Sequence, residues 1–259
     1  MSNVTIVPMP PPRNWLIEVQ KGNVPGTTVV HKFGRNQAVP NASFAFVNLL
    51  GLTAWPLSAA TTVRVKAGGN AADDTAGNGA REITIEGLDG TGAAISEAVA
   101  TAGASASSAT AASYLRVHRA FVSAAGTYGT ANTAAVTIEN SAGGTDLIQI
   151  ATEEGQSQFG GYSIPLAKTG YFLGVHIMVD SNKPADLAFY QRRDITDTTA
   201  PLASKRLLFY FDGTAGHMTF KPQTPSAPLP ALTDIWWEAQ GSGAGTEVSV
   251  DFEILLVDD

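Results

Sequence analysis

Near its end the chain reads Glu247-Val248-Ser249-Val250-Asp251-Phe252-Glu253-Ile254, a strict alternation of polar and apolar residues. Successive side chains of a β-strand point to opposite faces of the sheet, so this pattern predicts a strand with one buried and one exposed face. A shift of its pairing by one residue would bury four polar side chains, three of which are carboxylates. The register of this strand is therefore strongly specified.

The same alternation recurs in shorter form earlier in the chain. Val63 and Val65 alternate with basic residues, and Ile83 and Ile85 alternate with Thr and Glu. These segments predict further half-buried strands.

Two other segments, residues 171–179 and 207–211, are apolar at almost every position. Such runs are typical of central strands that are covered on both faces. Residues 98–113 contain almost only Ala, Ser, Thr and Gly, with no amphipathic pattern that a helix could bury. We expect a strand, a long surface loop and a second strand there.

Turn signals separate these segments along the whole chain. They include Asp89-Gly90, Asn78-Gly79, Gly143-Gly144 and Asp212-Gly213. Short strands at intervals of about 8–14 residues between such turns are typical of sandwiches. We therefore predict an all-β fold, an antiparallel β-sandwich or jelly-roll-like domain over residues 27–259, with a possible subdivision near residues 141–145.

Residues 1–26 differ in composition and are predicted to form an extended, Pro-rich N-terminal arm. Proline lacks a backbone donor and restricts its own φ, which favours polyproline-like chain. A short apolar segment with Trp15, Leu16 and Ile17 follows the prolines. It either lies across a neighbouring subunit or packs on its own domain, and the sequence leaves both alternatives open.

The chain has 259 residues, a formal net charge of −7, a pI near 5.0 and only 15% charged residues. A weakly charged surface suits a protein that packs against many neighbours, because a dense charge pattern would be costly to desolvate. The basic clusters Arg192-Arg193 and Lys205-Arg206 are short and are interpreted as exposed strand ends, so nucleic-acid binding is not expected.

Cysteine is absent, which argues against disulfide-stapled secreted domains and thiolate metal sites. We find no signal-peptide pattern and no apolar run of membrane-spanning length. We therefore expect a soluble protein that is made in a cytoplasm and does not enter a membrane.

Each catalytic template fails on residue type or spacing. The segment Gly161-Tyr162-Ser163-Ile164-Pro165 lacks the last glycine of a GxSxG elbow. Adjacent Glu153 and Glu154 would point to opposite faces of a strand, unlike a paired catalytic site. The histidines do not form a metal-binding HExxH or HxH pair. They are His31, His118, His176 and His217. We expect a protein that is not an enzyme and holds no cofactor.

Oxygen-bearing side chains in one Gly-rich loop leave a weak calcium alternative open. Asp73, Asp74 and Asn78 could supply oxygen ligands, but their spacing is not that of an EF-hand. We therefore predict no metal site.

The tryptophans suggest two interpretations. Trp55, Trp236, Trp237 and Tyr162 could offer stacking faces for sugars. In a β-sandwich, however, adjacent Trp236 and Trp237 are expected to divide between the core and an interface. The candidate residues for contact with other protein subunits are Trp15, Leu16, Ile17, Trp236 and Trp237.

One stretch has a recognisable pattern of strand, Gly-Leu-Asp turn, strand and Tyr-Leu-Arg-Val strand, spanning residues 80–97 and 114–122. Together with residues 159–165, 185–190 and 233–236 it resembles virion structural proteins of tailed bacteriophages, particularly marine ones. The similarity extends over most of residues 60–259. It implies a component of a virus particle, and no functional residue carries over from it.

Within that group, a capsid decoration or cement protein on the major-capsid lattice fits best, because of the length, the predicted arm and the absence of fibre-like repeats. By analogy we expect a homotrimer that binds the major capsid protein on the virion surface after assembly in the host bacterial cytoplasm. The alternative is a phage tail or fibre protein, or another glycan-binding receptor-recognition module. A polysaccharide depolymerase is the least favoured interpretation.

Overall fold

The computed structural model of the protein describes residues 14–127, 129–197, 204–222 and 226–259. These residues form one short helix, α1 (Trp15–Gln20), and a series of β-strands. In chain order the strands are β1 (Thr27–Val39), β2 (Ala45–Phe46), β3 (Thr61–Val65), β4 (Ala80–Asp89), β5 (Ala94–Ala100), β6 (Ser113–Ala125), β7 (Val136–Asn140), β8 (Asp146–Ile150), β9 (Gly161–Ser163), β10 (Lys168–Val179), β11 (Ala185–Arg192), β12 (Lys205–Thr214), β13 (Gly216–Phe220), β14 (Asp234–Gly241) and β15 (Thr246–Asp258).

The predicted all-β sandwich is confirmed. A four-stranded antiparallel sheet in the order β1-β15-β10-β13 packs on a five-stranded sheet in the order β12-β11-β14-β2, with β9 also paired to β14. Side chains from both sheets meet in one hydrophobic core, where Phe189 stacks on Trp237 with ring centroids 4.6 Å apart. Full burial of a large apolar side chain stabilises a fold by about 1.5–3 kcal/mol, so this aromatic core is a major source of stability.

A second core is built mainly from residues 48–160, between β2 and β9, and also includes Phe46 and Trp236. Its sheet has six strands in the order β5-β4-β6-β3-β7-β8. Strand β3 changes partner along its length, since Thr61 and Thr62 pair with β6 while Val63 to Val65 pair with β7. The chain therefore builds a sandwich from its two ends and a second unit from its middle.

The position of the subdivision differs from the predicted one. Residues 141–145 form the turn between β7 and β8, inside the second unit. The chain instead passes between the two cores near Val47 and Phe159. The Gly143-Gly144 pair therefore marks a hairpin turn and not a boundary between the two units.

Strand β15 has the predicted register. Val248, Val250, Phe252 and Ile254 are buried, and Glu247 is exposed. It lies between β1 and β10 and pairs with both over almost its full length. The cleanest alternation in the sequence is therefore a central strand of the sandwich.

The two runs that are apolar on both faces are less covered than expected. Strand β10 is central, yet Met178 is 55% exposed on its outer face. Strand β12 lies at the end of its sheet, with Leu207 51% and Tyr210 49% exposed, so the prediction of a central strand for residues 207–211 was wrong. One face of β12 packs into the sandwich core, and periodicity alone does not reveal whether the other face has a partner.

The segment after the Pro-rich stretch is helical where an extended chain was predicted. The Asn14 side chain accepts a hydrogen bond from the Leu16 amide at 3.0 Å and caps α1. Val19 is buried and faces β1, whereas Trp15 and Ile17 point outward. This segment thus packs on its own domain through Val19. The predicted polyproline-like stretch at residues 8–12 lies outside the described residues.

Candidate functional site

Strand β14 belongs to both cores. Consecutive side chains of a strand point to opposite faces, so Trp237 enters the sandwich core while Trp236 enters the second core. Around Trp236 lie Phe46 and Trp55, with ring centroids 5.6 and 6.5 Å away. The junction between the two units is therefore an aromatic interface inside one chain.

This burial corrects the prediction for the tryptophan pair. Trp236 and Trp237 are 3% and 0% exposed, so neither contributes to an exposed contact surface. Trp55 is also buried, which removes the predicted stacking faces for sugars. The two tryptophans do divide between a core and an interface, but that interface is internal.

A buried ionic network joins the units beside the tryptophans. Asp234 is fully buried and accepts hydrogen bonds from Arg116 Nη2 at 2.9 Å, Arg192 Nη2 at 2.5 Å and the Ser163 hydroxyl. Arg116 Nε also donates to Asp234, at 3.0 Å, and further Arg116 donors reach backbone carbonyls, including that of Leu57. The residues of this network come from β6 of the second unit and from β9, β11 and β14 of the sandwich. The network therefore connects the two units.

Sequence reasoning missed this network. Arg192 was predicted at an exposed strand end, but it is 4% exposed. Arg116 lies 118 positions from Asp234, and nothing local in the sequence marks the two as partners. Only the fold brings them together.

A cleft of about 440 Å³ opens at the same junction, between β1 on one side and β4, β5 and β6 on the other. We call it the junction cleft. Its polar lining consists of His31, Lys32, Glu86, Ser96, His118, Arg119 and Tyr162, and its apolar lining includes Val30, Leu88, Ile95 and Pro165. Clefts between structural units that combine apolar walls with a few convergent polar groups are typical ligand sites.

Lys32 lies in an unusual environment for a lysine. Its side chain comes from β1, is only 7% exposed and donates to the His118 carbonyl oxygen at 2.5 Å. Burial lowers the pKa of Lys32 from 10.5 to about 7, and the positive charge of Arg119 contributes in the same direction, whereas Glu86 opposes it. Glu86 itself pairs with Arg119 at 3.4 Å. Near neutral pH the amine is therefore close to half protonated.

His118 is held neutral beside it. Its Nε2 accepts a hydrogen bond from the Ser163 amide at 3.2 Å, which requires that this nitrogen carry no proton. Burial lowers the pKa of His118 well below its usual range, and the nearby Lys32 and Arg116 charges add to the effect. Tyr162 packs against the imidazole at 4.6 Å, and burial raises the pKa of the Tyr162 hydroxyl. The cleft therefore offers a ligand hydrogen-bond donors and one cation, Lys32, that can gain or lose its proton.

The loop that suggested calcium has a structural role. The buried Asp73 carboxylate accepts hydrogen bonds from the backbone amides of Ala80, Thr133 and Ala134 at 2.8–3.0 Å. Across the described ranges, no group of three or more His, Cys, Asp or Glu residues is placed to hold a metal ion. None of the helices in this part of the chain has the length and apolar character needed to cross a bilayer.

Large apolar side chains also reach the surface on α1 and on β12. On α1, Trp15 is 50% and Ile17 is 46% exposed, and we call this pair the α1 face. On the terminal strand, Leu207 and Tyr210 form what we call the β12 edge. Of the predicted contact residues, Trp15 and Ile17 are therefore exposed and Leu16 is half-buried.

Comparison with known proteins gives little support for an assignment. No family model matches the chain, and no curated protein matches it. Among solved structures, the VP2 subviral particle of infectious bursal disease virus aligns over 95% of this chain and 78% of its own, with 12% identity and a TM-score of 0.25. The structure of the Gt strain of the same virus aligns over 94% and 82%, with 9% identity and a TM-score of 0.22. Scores this low carry no argument about the fold or function of this chain.

Proposed function

We propose that this chain is a non-catalytic structural protein of a virus particle, a decoration or cement protein that binds the major-capsid lattice of a tailed bacteriophage. Two lines of support are the resemblance of residues 80–97 and 114–122 to virion proteins and the all-β architecture. The observation that carries the proposal is the α1 face, where a capped helix exposes two large apolar side chains to solvent.

The α1 face has the properties of a contact surface. Trp15 and Ile17 are about half exposed, although tryptophan gains most from burial and is enriched among interface hot spots. The Asn14 cap and buried Val19 hold the helix in place, so little ordering entropy would be lost on binding. Such a helix is suited to pack on a neighbouring subunit.

The low charge of the chain is consistent with lattice binding. Only 15% of residues are charged, so neighbouring copies meet with little repulsion or desolvation cost. In a closed lattice many modest contacts add up, because each bound copy raises the effective concentration of the next contact. Weak individual interfaces would then suffice for a stable particle.

Co-sedimentation with purified capsid shells tests this function. The wild-type chain should bind at a copy number comparable to that of the coat protein, and the double variant Trp15→Ala/Ile17→Ala should lose at least about tenfold in affinity. Leu166→Ala is the matched control, since Leu166 is 47% exposed outside the α1 face. Equal binding by all three chains, or wild-type protein found only in tail fractions, would contradict the proposal.

We further propose a homotrimer, by analogy with proteins that occupy local threefold axes. Among the described residues β12 is a terminal strand of its sheet and exposes Leu207 and Tyr210, which suits such self-association. Light scattering on the purified chain should give three times the 26.9 kDa monomer mass, and Leu207→Lys should shift the equilibrium towards monomer. A monomer at every concentration would refute the trimer and leave capsid binding as a separate question.

A further inference from the structure

We propose that the junction cleft binds a small carboxylate, whose negative group pairs with the Lys32 amine while its apolar body lies against Val30, Leu88 and Ile95. This site does not depend on the proposed capsid role. It follows from the contacts within the cleft.

The first step concerns the missing counter-ion of Lys32. The amine is 7% exposed and bonds to a carbonyl oxygen, not to a carboxylate. Within the described ranges it forms no ion pair, and the residues outside those ranges contain neither Asp nor Glu. A buried cation without an anion is costly. The Glu86 charge favours the protonated amine, but Glu86 pairs with Arg119 and forms no ion pair with Lys32. A ligand anion would contact the amine directly.

The second step concerns the other donors in the cleft. Tyr162 is 9% exposed, and its hydroxyl has no hydrogen-bond partner among the described residues. The Arg119 guanidinium shares the cleft, 42% exposed and 3.4 Å from Glu86. A carboxylate that entered beside Lys32 would therefore find a hydroxyl donor and a second cation on the same lining.

The third step selects the class of anion. When Lys32 is protonated, Lys32 and Arg119 are cations and Glu86 is an anion, so these three groups carry one positive charge in excess. That balance suits a monoanion better than a phosphate dianion. The apolar walls suit a hydrocarbon or aromatic body, and about 440 Å³ falls within the range of small-molecule sites.

The proposal implies coupling between binding and protonation. The groups that face Lys32 are Glu86 on β4, His118 and Arg119 on β6, Tyr162 on β9 and, on its own strand, His31, which pairs with Asp251 of β15. Burial keeps His118 and Tyr162 neutral, so Lys32 is the buried group of the cleft expected to titrate near pH 7. A carboxylate should raise the Lys32 pKa, and its affinity should fall by up to about tenfold per pH unit above 7.

An NMR titration of the full chain tests the site without a capsid. The lysine side-chain signals are followed against pH in equal concentrations of sodium chloride, sodium acetate and sodium benzoate. The Lys32 signal is assigned by its loss in Lys32→Met. We expect a titration near pH 7 in chloride and a rise of about one pH unit or more in benzoate, with acetate between them.

Lys183→Met is the matched control, because Lys183 also donates to a backbone carbonyl, at 3.1 Å, but at an exposed position. Proton uptake on benzoate binding, measured by calorimetry in buffers of different ionisation enthalpy, should persist in Lys183→Met and vanish in Lys32→Met. The same Lys32 titration in all three salts would overturn the proposal. Where Lys32→Met does not fold, Lys32 is identified in the wild type as the lysine signal that titrates near pH 7 and not near 10.5, and its response to the three salts decides the test.

The carboxylate bound in the cleft could belong to a free small molecule or to an acidic side chain of a neighbouring subunit. A second experiment distinguishes these two sources. Benzoate is added to the capsid co-sedimentation experiment. Competition by benzoate, with weaker binding of Lys32→Met, assigns the carboxylate to a neighbouring subunit. Unchanged sedimentation alongside a positive NMR result assigns it to a free small molecule.

Discussion

At the scale of single residues, Lys32 and Asp234 hold charge inside the protein in opposite ways. Asp234 is neutralised by two arginines, whereas Lys32 donates to a carbonyl oxygen and forms no ion pair with any described residue. Replacing a buried charge that has no ion partner removes its desolvation penalty and stabilises the fold. Replacing one member of a buried ion pair leaves the other charge unpaired and destabilises the fold. The two residues therefore predict opposite effects on stability.

Lys32→Met should stabilise the fold. The folded-state pKa of about 7 lies below 10.5, so between these values the unfolded chain binds more protons than the folded chain. The free energy of unfolding of the wild type should therefore rise with pH through this window, and the cost is fully present below pH 7. Below pH 7 the free energy of unfolding of Lys32→Met should exceed that of the wild type by about 2 kcal/mol. It should also no longer rise with pH in this window. Urea denaturation across the window measures both, and an unchanged slope would contradict the assignment.

Asp234→Ala should destabilise the fold by about 3–5 kcal/mol, because Arg116 and Arg192 would remain buried without a counter-ion. Glu154→Gln is the control, since Glu154 forms a partly exposed ion pair with Arg35 and should change stability by at most about 1 kcal/mol. Chemical denaturation of both variants checks the difference. Equal effects would show that the Asp234 network contributes no more than a surface pair.

At the scale of elements, β14 is the strand that both cores share. Its two tryptophans are buried on opposite faces, so each truncation opens a cavity in a different core. Strands β12 and β10 instead expose one apolar face each. Burial on both faces thus separates β14 from strands of similar composition.

Trp237→Ala should cost about 3–5 kcal/mol of unfolding free energy, since it empties the centre of the sandwich core. Trp15→Ala removes the same side chain from a half-exposed position and should change stability by about 0.5 kcal/mol or less. Thermal unfolding followed by near-ultraviolet circular dichroism compares them. A large loss in Trp15→Ala would mean that the α1 face is part of the core and not a contact surface.

At the scale of the whole molecule, the two cores are joined by β14, by the Asp234 network and by the aromatic cluster around Trp236. Such a junction should make the two units unfold together. Differential scanning calorimetry of the wild type should give one transition with equal calorimetric and van't Hoff enthalpies. Two separate transitions would show that the units are independent domains.

The same junction explains where a ligand site arises. Strand β1 of the sandwich faces β4, β5 and β6 of the second unit, and the cleft is the space left between them. Lys32 and Glu86 are 54 positions apart in the chain, yet both line it. A site of this kind has no local sequence motif, because its residues come from units that meet only in the folded molecule.

The sequence by itself determined the all-β class, the β15 register and most turn positions. These depend on alternation and turn chemistry, which act over a few residues. It also singled out Trp15 and Ile17, which the fold leaves exposed. Only the tertiary structure decided that Trp236 and Trp237 are internal, that residues 207–211 lie at a sheet edge and that Lys32 is buried without an ion pair among the described residues. Those properties depend on which strands lie next to each other in the folded protein. Contacts between residues far apart in the chain determine this arrangement.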